Sequence, residues 1–118
     1  MLKVHARELD DVTVLCLEGQ IVNGETEVLR SVVQLASDAG DIILNFSNVT
    51  VVDAHGLGVL LQLREQTVAK GSHFELTNVS RSLYRIFEIT RLDTVFEISS
   101  EMPFVSQVPY SQRMPVAA

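Results

Sequence analysis

Basic residues are scarce in this sequence: nine lysines and arginines stand against fifteen aspartates and glutamates, for a formal net charge of −6. They are scattered, and no cluster or aromatic-interleaved strip offers a path for a nucleic-acid backbone. Direct nucleic-acid binding is not expected. The acidic balance suits an ordinary solvated surface, with docking on a basic partner as the alternative. Cysteine is almost absent. The one thiol, Cys16, rules out an internal disulfide and reads as a buried small hydrophobe in a strand. Long apolar runs are missing too: none approaches the ~20 residues that a spanning helix needs, so no membrane insertion is expected. Met1-Leu2-Lys3-Val4-His5 leads straight into a strand pattern without the features of a signal peptide. A cytoplasmic protein is the simplest expectation.

Recognisable reactive constellations are also lacking. His5, His55 and His73 have no metal-ligand spacing and Cys16 lies in a strand, so no metal is expected. There is no nucleophile elbow for a Ser-His-Asp triad and no Walker-type glycine loop. The residues do not point to an enzyme, and no cofactor is implied.

What is present is enough chain for one core: 118 residues, 47% of them hydrophobic. Leu2 to Glu8 reads as an edge strand, Asp10-Asp11 as a turn, and Val12 to Leu17 as a strand buried on both faces or nearly so. Glu18 to Gly24 is expected to loop out. A helix follows from Glu25 to Ser37, with Val28, Leu29, Val32, Val33, Leu35 and Ala36 as its apolar stripe and Gly40 as its cap. Ile42 to Phe46 is a short apolar strand, Ser47-Asn48 a turn, and Val49 to Val52 a buried connection.

Asp53 then suits the cap of a helix from about Ala54 to Ala69, with Leu57, Leu60, Leu61 and Val68 on one face and Gly71 ending it. Gly56 and Gly58 leave the start of that helix uncovered. Phe74 to Thr77 is a strand, and Ser80 or Asn78 caps a third helix with Leu83, Ile86, Phe87 and Thr90 inward. Thr94 to Ile98 closes the sheet. Strand–helix alternation after Asp41 implies parallel strands with right-handed crossovers. The domain is placed at 1–100. Pro103, Pro109 and Pro115 interrupt a tail, 101–118, whose Phe104, Val105, Val108 and Tyr110 either pack back on the domain or contact another chain.

The central stretch carries a resemblance. Leu44-Asn45-Phe46-Ser47, then Val49-Thr50-Val51-Val52, then Asp53-Ala54-His55-Gly56-Leu57-Gly58 is similar to the ordered signature of STAS domains (sulfate transporter and anti-sigma factor antagonist). In that family the apolar strand usually ends in Asp-Leu-Ser, and Asp-Ser-X-Gly leads into a Leu/Gly-rich helix. The resemblance runs from about Asp10 to about Ser99. It implies an α/β, STAS-like sandwich: a mixed, mainly parallel sheet of four to five strands with an antiparallel N-terminal hairpin and three to four helices.

The resemblance also implies a function. Its anti-sigma factor antagonists, of the stage II sporulation type, are bacterial regulators of transcription that bind a kinase-like anti-sigma factor and so release the sigma factor. They are switched by phosphorylation of the serine just before the motif glycine. A phosphate there adds about −1.5 to −2 charge at a contact surface. Here His55 holds the phosphoacceptor-equivalent position, and no serine or threonine lies between Asp53 and Leu57. Val22 stands where relatives often carry an acid, with Asn23 beside it, and Asn45 replaces an aspartate.

The leading expectation is a protein-binding module with phosphorylation-independent regulation. Its partner would be an anti-sigma factor or a related kinase-like regulator. The contact set is Val22, Asn23, Asp53, Ala54, His55, Gly56, Leu57 and Gly58. For Asp53, helix cap, partner contact and metal ligand stay open together; a homodimer is allowed. The alternatives are a scaffold subunit of a stressosome-like or transporter-associated complex, and an enzyme or nucleotide-binding switch using Asp53 and His55, with Gly56 and Gly58 admitting a phosphate to the helix N-terminus.

Overall fold

The structure, a computed structural model, describes residues 1–36 and 40–99. A hairpin comes first: β1 (Lys3–Leu9) runs antiparallel to β2 (Val12–Ile21) around Asp10, whose φ is +54°. Then come α1 (Glu27–Ala36), β3 (Asp41–Val52), α2 (Ala54–Ala69), β4 (Phe74–Thr77), α3 (Arg81–Ile89), a 3-10 turn (Leu92–Thr94) and β5 (Glu97–Ser99). The sheet order is β1-β2-β3-β4-β5, with every pair after the first parallel. This is the mixed five-stranded sheet with three helices that the sequence leads one to expect.

The register explains the core. Leu15, Leu44 and Leu76 align across β2, β3 and β4, and all three are fully buried. They join Leu29, Leu60, Leu63, Leu83 and Phe87 from the helices in one apolar cluster. Phe96 closes its end, edge-on to Phe87 with ring centroids 5.6 Å apart.

Several expectations are corrected. The first part of the expected loop, Glu18–Ile21, and the expected turn Ser47-Asn48 are strand, because β2 continues to Ile21 and β3 to Val52; Val22–Gly24 is loop as expected. Val49–Val52 is likewise paired strand, not connection. Glu18 pairs with Asn48, so the polar interruptions of the two strands face each other, and register shifts beside them absorb the mismatch. Each interruption looks like a loop alone; opposite one another they remain a ladder. β2 is buried on one face and half-exposed on the other, rather than buried on both.

Val28 and Leu35 of α1 face outward, Leu35 at 82% exposure, so its apolar residues form two stripes of which only Leu29, Val33 and Ala36 are buried. The expected end of this helix at Ser37 lies outside the described residues. Gly40 has φ +134°, and a Cβ there would sit 2.1 Å from the Asp11 carbonyl oxygen; close approach to the β1–β2 turn accounts for the glycine. In α2 the outward residue is Val68, and Thr67 is buried instead, its hydroxyl donating to the Leu63 carbonyl at 2.8 Å. Thr90 of α3 is exposed at the helix end, and the closing strand begins at Glu97 because the 3-10 turn takes Leu92–Thr94. The tail from residue 101 lies outside the described residues.

Candidate functional site

The start of α2 is assembled from two separate stretches of chain, the end of β2 with the loop after it and the turn at Asp53. Asp53 caps the helix in extended conformation, its Oδ1 accepting from the Gly56 amide at 2.8 Å. Its Oδ2 accepts from the Asn23 amide at 3.1 Å, thirty positions earlier. Its own amide donates to the Ile21 carbonyl at 3.3 Å, and its carbonyl accepts from Leu57. The loop after β2 is thereby tied to the helix start, and a turn from Glu25 N–H to the Val22 carbonyl at 2.9 Å closes that loop.

Both carboxylate oxygens accept a backbone hydrogen bond, one within the helix cap and one from the loop after β2. The amides of Asn23 and Gly56 hold the Asp53 carboxyl below the ordinary carboxylate range, with the charge of nearby His55 acting in the same sense. Asp53 thereby braces the loop after β2 against the start of α2.

Gly56 does not leave the helix start uncovered. It is buried, and a Cβ on it would lie 1.9 Å from the Ile21 carbonyl oxygen. Gly56 therefore permits backbone contact between α2 and the end of β2. Its amide is donated to Asp53. Leu57 is buried at 9% exposure beneath the surface.

The outward side of the same turn carries Ala54, His55 and Gly58, all exposed, with nothing within 4 Å of a Cβ built on Gly58. Asn23 and Gly24 are exposed beside them, and Val22 is half-buried. The eight sequence-selected residues thus divide. Ala54, His55, Gly58 and Asn23 are available for contact; Gly56 and Leu57 support them from below, and Val22 and Asp53 lie between.

Val51 was not selected, yet it is 42% exposed two residues before the cap. Strand alternation between buried Val49 and buried Val52, disturbed by the nearby register shift, is what puts it outside. Asn45 does not join the Asp53 turn: its Oδ1 accepts from the Ser47 amide at 2.9 Å and from Asn78 Nδ2 at 3.2 Å. Among the described residues no group of three histidine, cysteine or acidic side chains is arranged to hold a metal ion. No helix there is long and apolar enough to cross a membrane.

Comparisons with known proteins agree with this fold. The anti-sigma-B factor antagonist of Bacillus subtilis (strain 168) is 28% identical over 101 residues, which span 85% of this chain and 93% of that protein. The crystal structure of an anti-sigma factor antagonist from Mycobacterium paratuberculosis superimposes with a TM-score of 0.73 at 18% identity, covering 96% of this chain and 95% of that one. A sulfate transporter family protein from Wolinella succinogenes shares the fold at a TM-score of 0.69 and 21% identity, over 78% of this chain and 79% of its own. The family model of the STAS domain matches residues 3–104, most of the chain, and the chain belongs to that family.

Proposed function

We propose that this STAS domain is an anti-sigma factor antagonist whose ledge of Asn23, Val51, Ala54, His55 and Gly58 captures a kinase-like anti-sigma factor. The observation that carries the reading is the divided turn at the start of α2. Its support is fully bonded through Asp53 and packed through Gly56, while Ala54 and His55 point to solvent. A braced backbone under exposed side chains binds a protein partner with little ordering cost. The similarity to the B. subtilis antagonist supports the partner class.

His55 stands at the acceptor position, and no hydroxyl lies within Asp53–Gly58. Capture is therefore independent of phosphorylation at this turn. Binding of the purified chain to its cognate anti-sigma factor, followed by calorimetry, tests the reading. His55→Glu is expected to weaken binding at least tenfold, because it places a fixed negative charge in the contact. Unchanged affinity, or kinase-dependent phosphate incorporation between Asp53 and Gly58, overturns it. The fold shared with the Wolinella protein motivates the rival, a scaffold subunit. That reading predicts stable co-purification in a multi-copy or membrane-bound complex that His55→Glu leaves intact.

A further inference from the structure

The two faces of the sheet are unequally covered. β2, β3, β4 and β5 are neighbours in sequence order and parallel, so right-handed crossovers place all three helices on one face. The single core cluster agrees, joining residues of every helix to Leu15, Leu44 and Leu76. The opposite face presents Val12, Val14 and Cys16 from β2 alongside Ile43 and Asn45 from β3. All five are half-exposed, and among the described residues no helix packs over them. Parallel strands occur almost only in sheets covered on both sides. The apolar centre of this face, Val12, Val14 and Ile43, is flanked in register by Arg7 on one side and by Glu75 and Glu97 on the other, and that centre calls for a cover.

The same chain supplies one. β5 is the edge strand and ends at Ser99, and residues 100–118 continue from that edge. They include Phe104, Val105, Val108 and Tyr110. With strands about 4.8 Å apart, Ile43 lies two spacings, about 10 Å, from β5, and Val14 lies about 15 Å away. An extended chain reaches about 17 Å from Ser99 to Phe104 and about 30 Å to Val108. Both targets are within range. The other apolar strip, exposed Val28 and Leu35 with half-buried Val32 of α1, belongs to a helix that packs on β1 and α2, toward the far edge and on the opposite side of the sheet.

We propose that residues 101–118 fold back across the helix-free face, with Phe104, Val105 and Val108 covering Ile43 and Val14. The composition makes the face easy to read: Cys16 is the sole thiol, and the chain has no tryptophan. In the full-length protein, Cys16 should react with a thiol reagent at least tenfold more slowly than in a Phe104→Asp/Val108→Asp variant that keeps its far-UV circular dichroism. Equal rates in the two folded proteins overturn the proposal.

Should that variant unfold, Val108→Trp in the otherwise unchanged chain gives an independent reading. Its emission should be blue-shifted, independent of dilution, and moved to the red by Ile43→Glu but not by Leu35→Glu. Emission typical of water-exposed indole overturns the proposal. So does a shift lost on dilution, which assigns the face to a second copy of the chain, or one lost with Leu35→Glu, which assigns the segment to α1.

Discussion

The starts of α2 and α3 use the same local device with different reach. At each, a cap side chain in extended conformation accepts from the amide three residues on: Asp53 from Gly56 at 2.8 Å, Ser80 from Leu83 at 3.3 Å. Among the described residues the Ser80 hydroxyl also meets that of Ser82, 3.4 Å away. Asp53 has a second oxygen, and with it binds the Asn23 amide across the molecule. A hydroxyl capped one helix; a carboxylate capped a helix and fastened a loop to it. Gly56 adds to the difference, because α2 rests backbone to backbone on the end of β2. The lesson is that a cap becomes a tertiary brace when it has acceptor capacity to spare and a strand end beside it.

The largest way to break this comparison is Gly56→Ala. The added methyl would meet the Ile21 carbonyl oxygen at 1.9 Å, a backbone atom that cannot swing aside. A loss of about 3 kcal/mol is expected in chemical denaturation, at the upper end of ordinary overpacking. Asp53→Ala should lower the thermal midpoint next most, and more than Ser80→Ala, which removes one local cap at about 1 kcal/mol. Equal losses from the two cap variants would mean that the Asn23 bond contributes nothing.

Gly58→Ala should have the opposite sign to Gly56→Ala. It sits in the same helical turn with open space around it, so about 0.5–1 kcal/mol is gained. Acid titration sharpens the contrast further. The Asp53 carboxyl is held below its ordinary value of 3.8, so its contribution is present above that value and is lost as pH falls through the folded one. Asp53→Asn should flatten that part of the acid limb, followed by circular dichroism, whereas Ser80→Ala should leave its shape unchanged.

The smallest stability effect belongs to His55→Ala, expected within about 0.5 kcal/mol as for other exposed positions. Its readout is partner affinity. A large loss of stability instead would make His55 part of the brace and merge the two layers of the site.

Much of this was legible beforehand because the decisive signals were local. The boundaries of α2 follow from a polar cap before an apolar helical pattern and a glycine after it, and β4 from a short apolar run between turn residues. The Ser80 cap of α3 is of the same kind. Less was legible where two distant segments had to be read together. Glu18-Gly19 and Ser47-Asn48 each look like a break, and only their pairing keeps β2 and β3 continuous. In the site, the identity of the turn was readable but its layering was not. Gly56 and Gly58 are indistinguishable by residue type, and the Ile21 carbonyl beneath one of them separates their roles.

The residue pattern by itself determined the order of strands and helices, the position of the cap and the absence of a hydroxyl at the acceptor position. Those depend on periodicity and residue chemistry within a few positions of each other. Tertiary structure alone decided that both oxygens of Asp53 are occupied, that Gly56 is a packing contact, and that Val51 and His55 face outward. Each of those depends on which remote backbone comes alongside, and that is set by sheet register and helix docking across the whole domain.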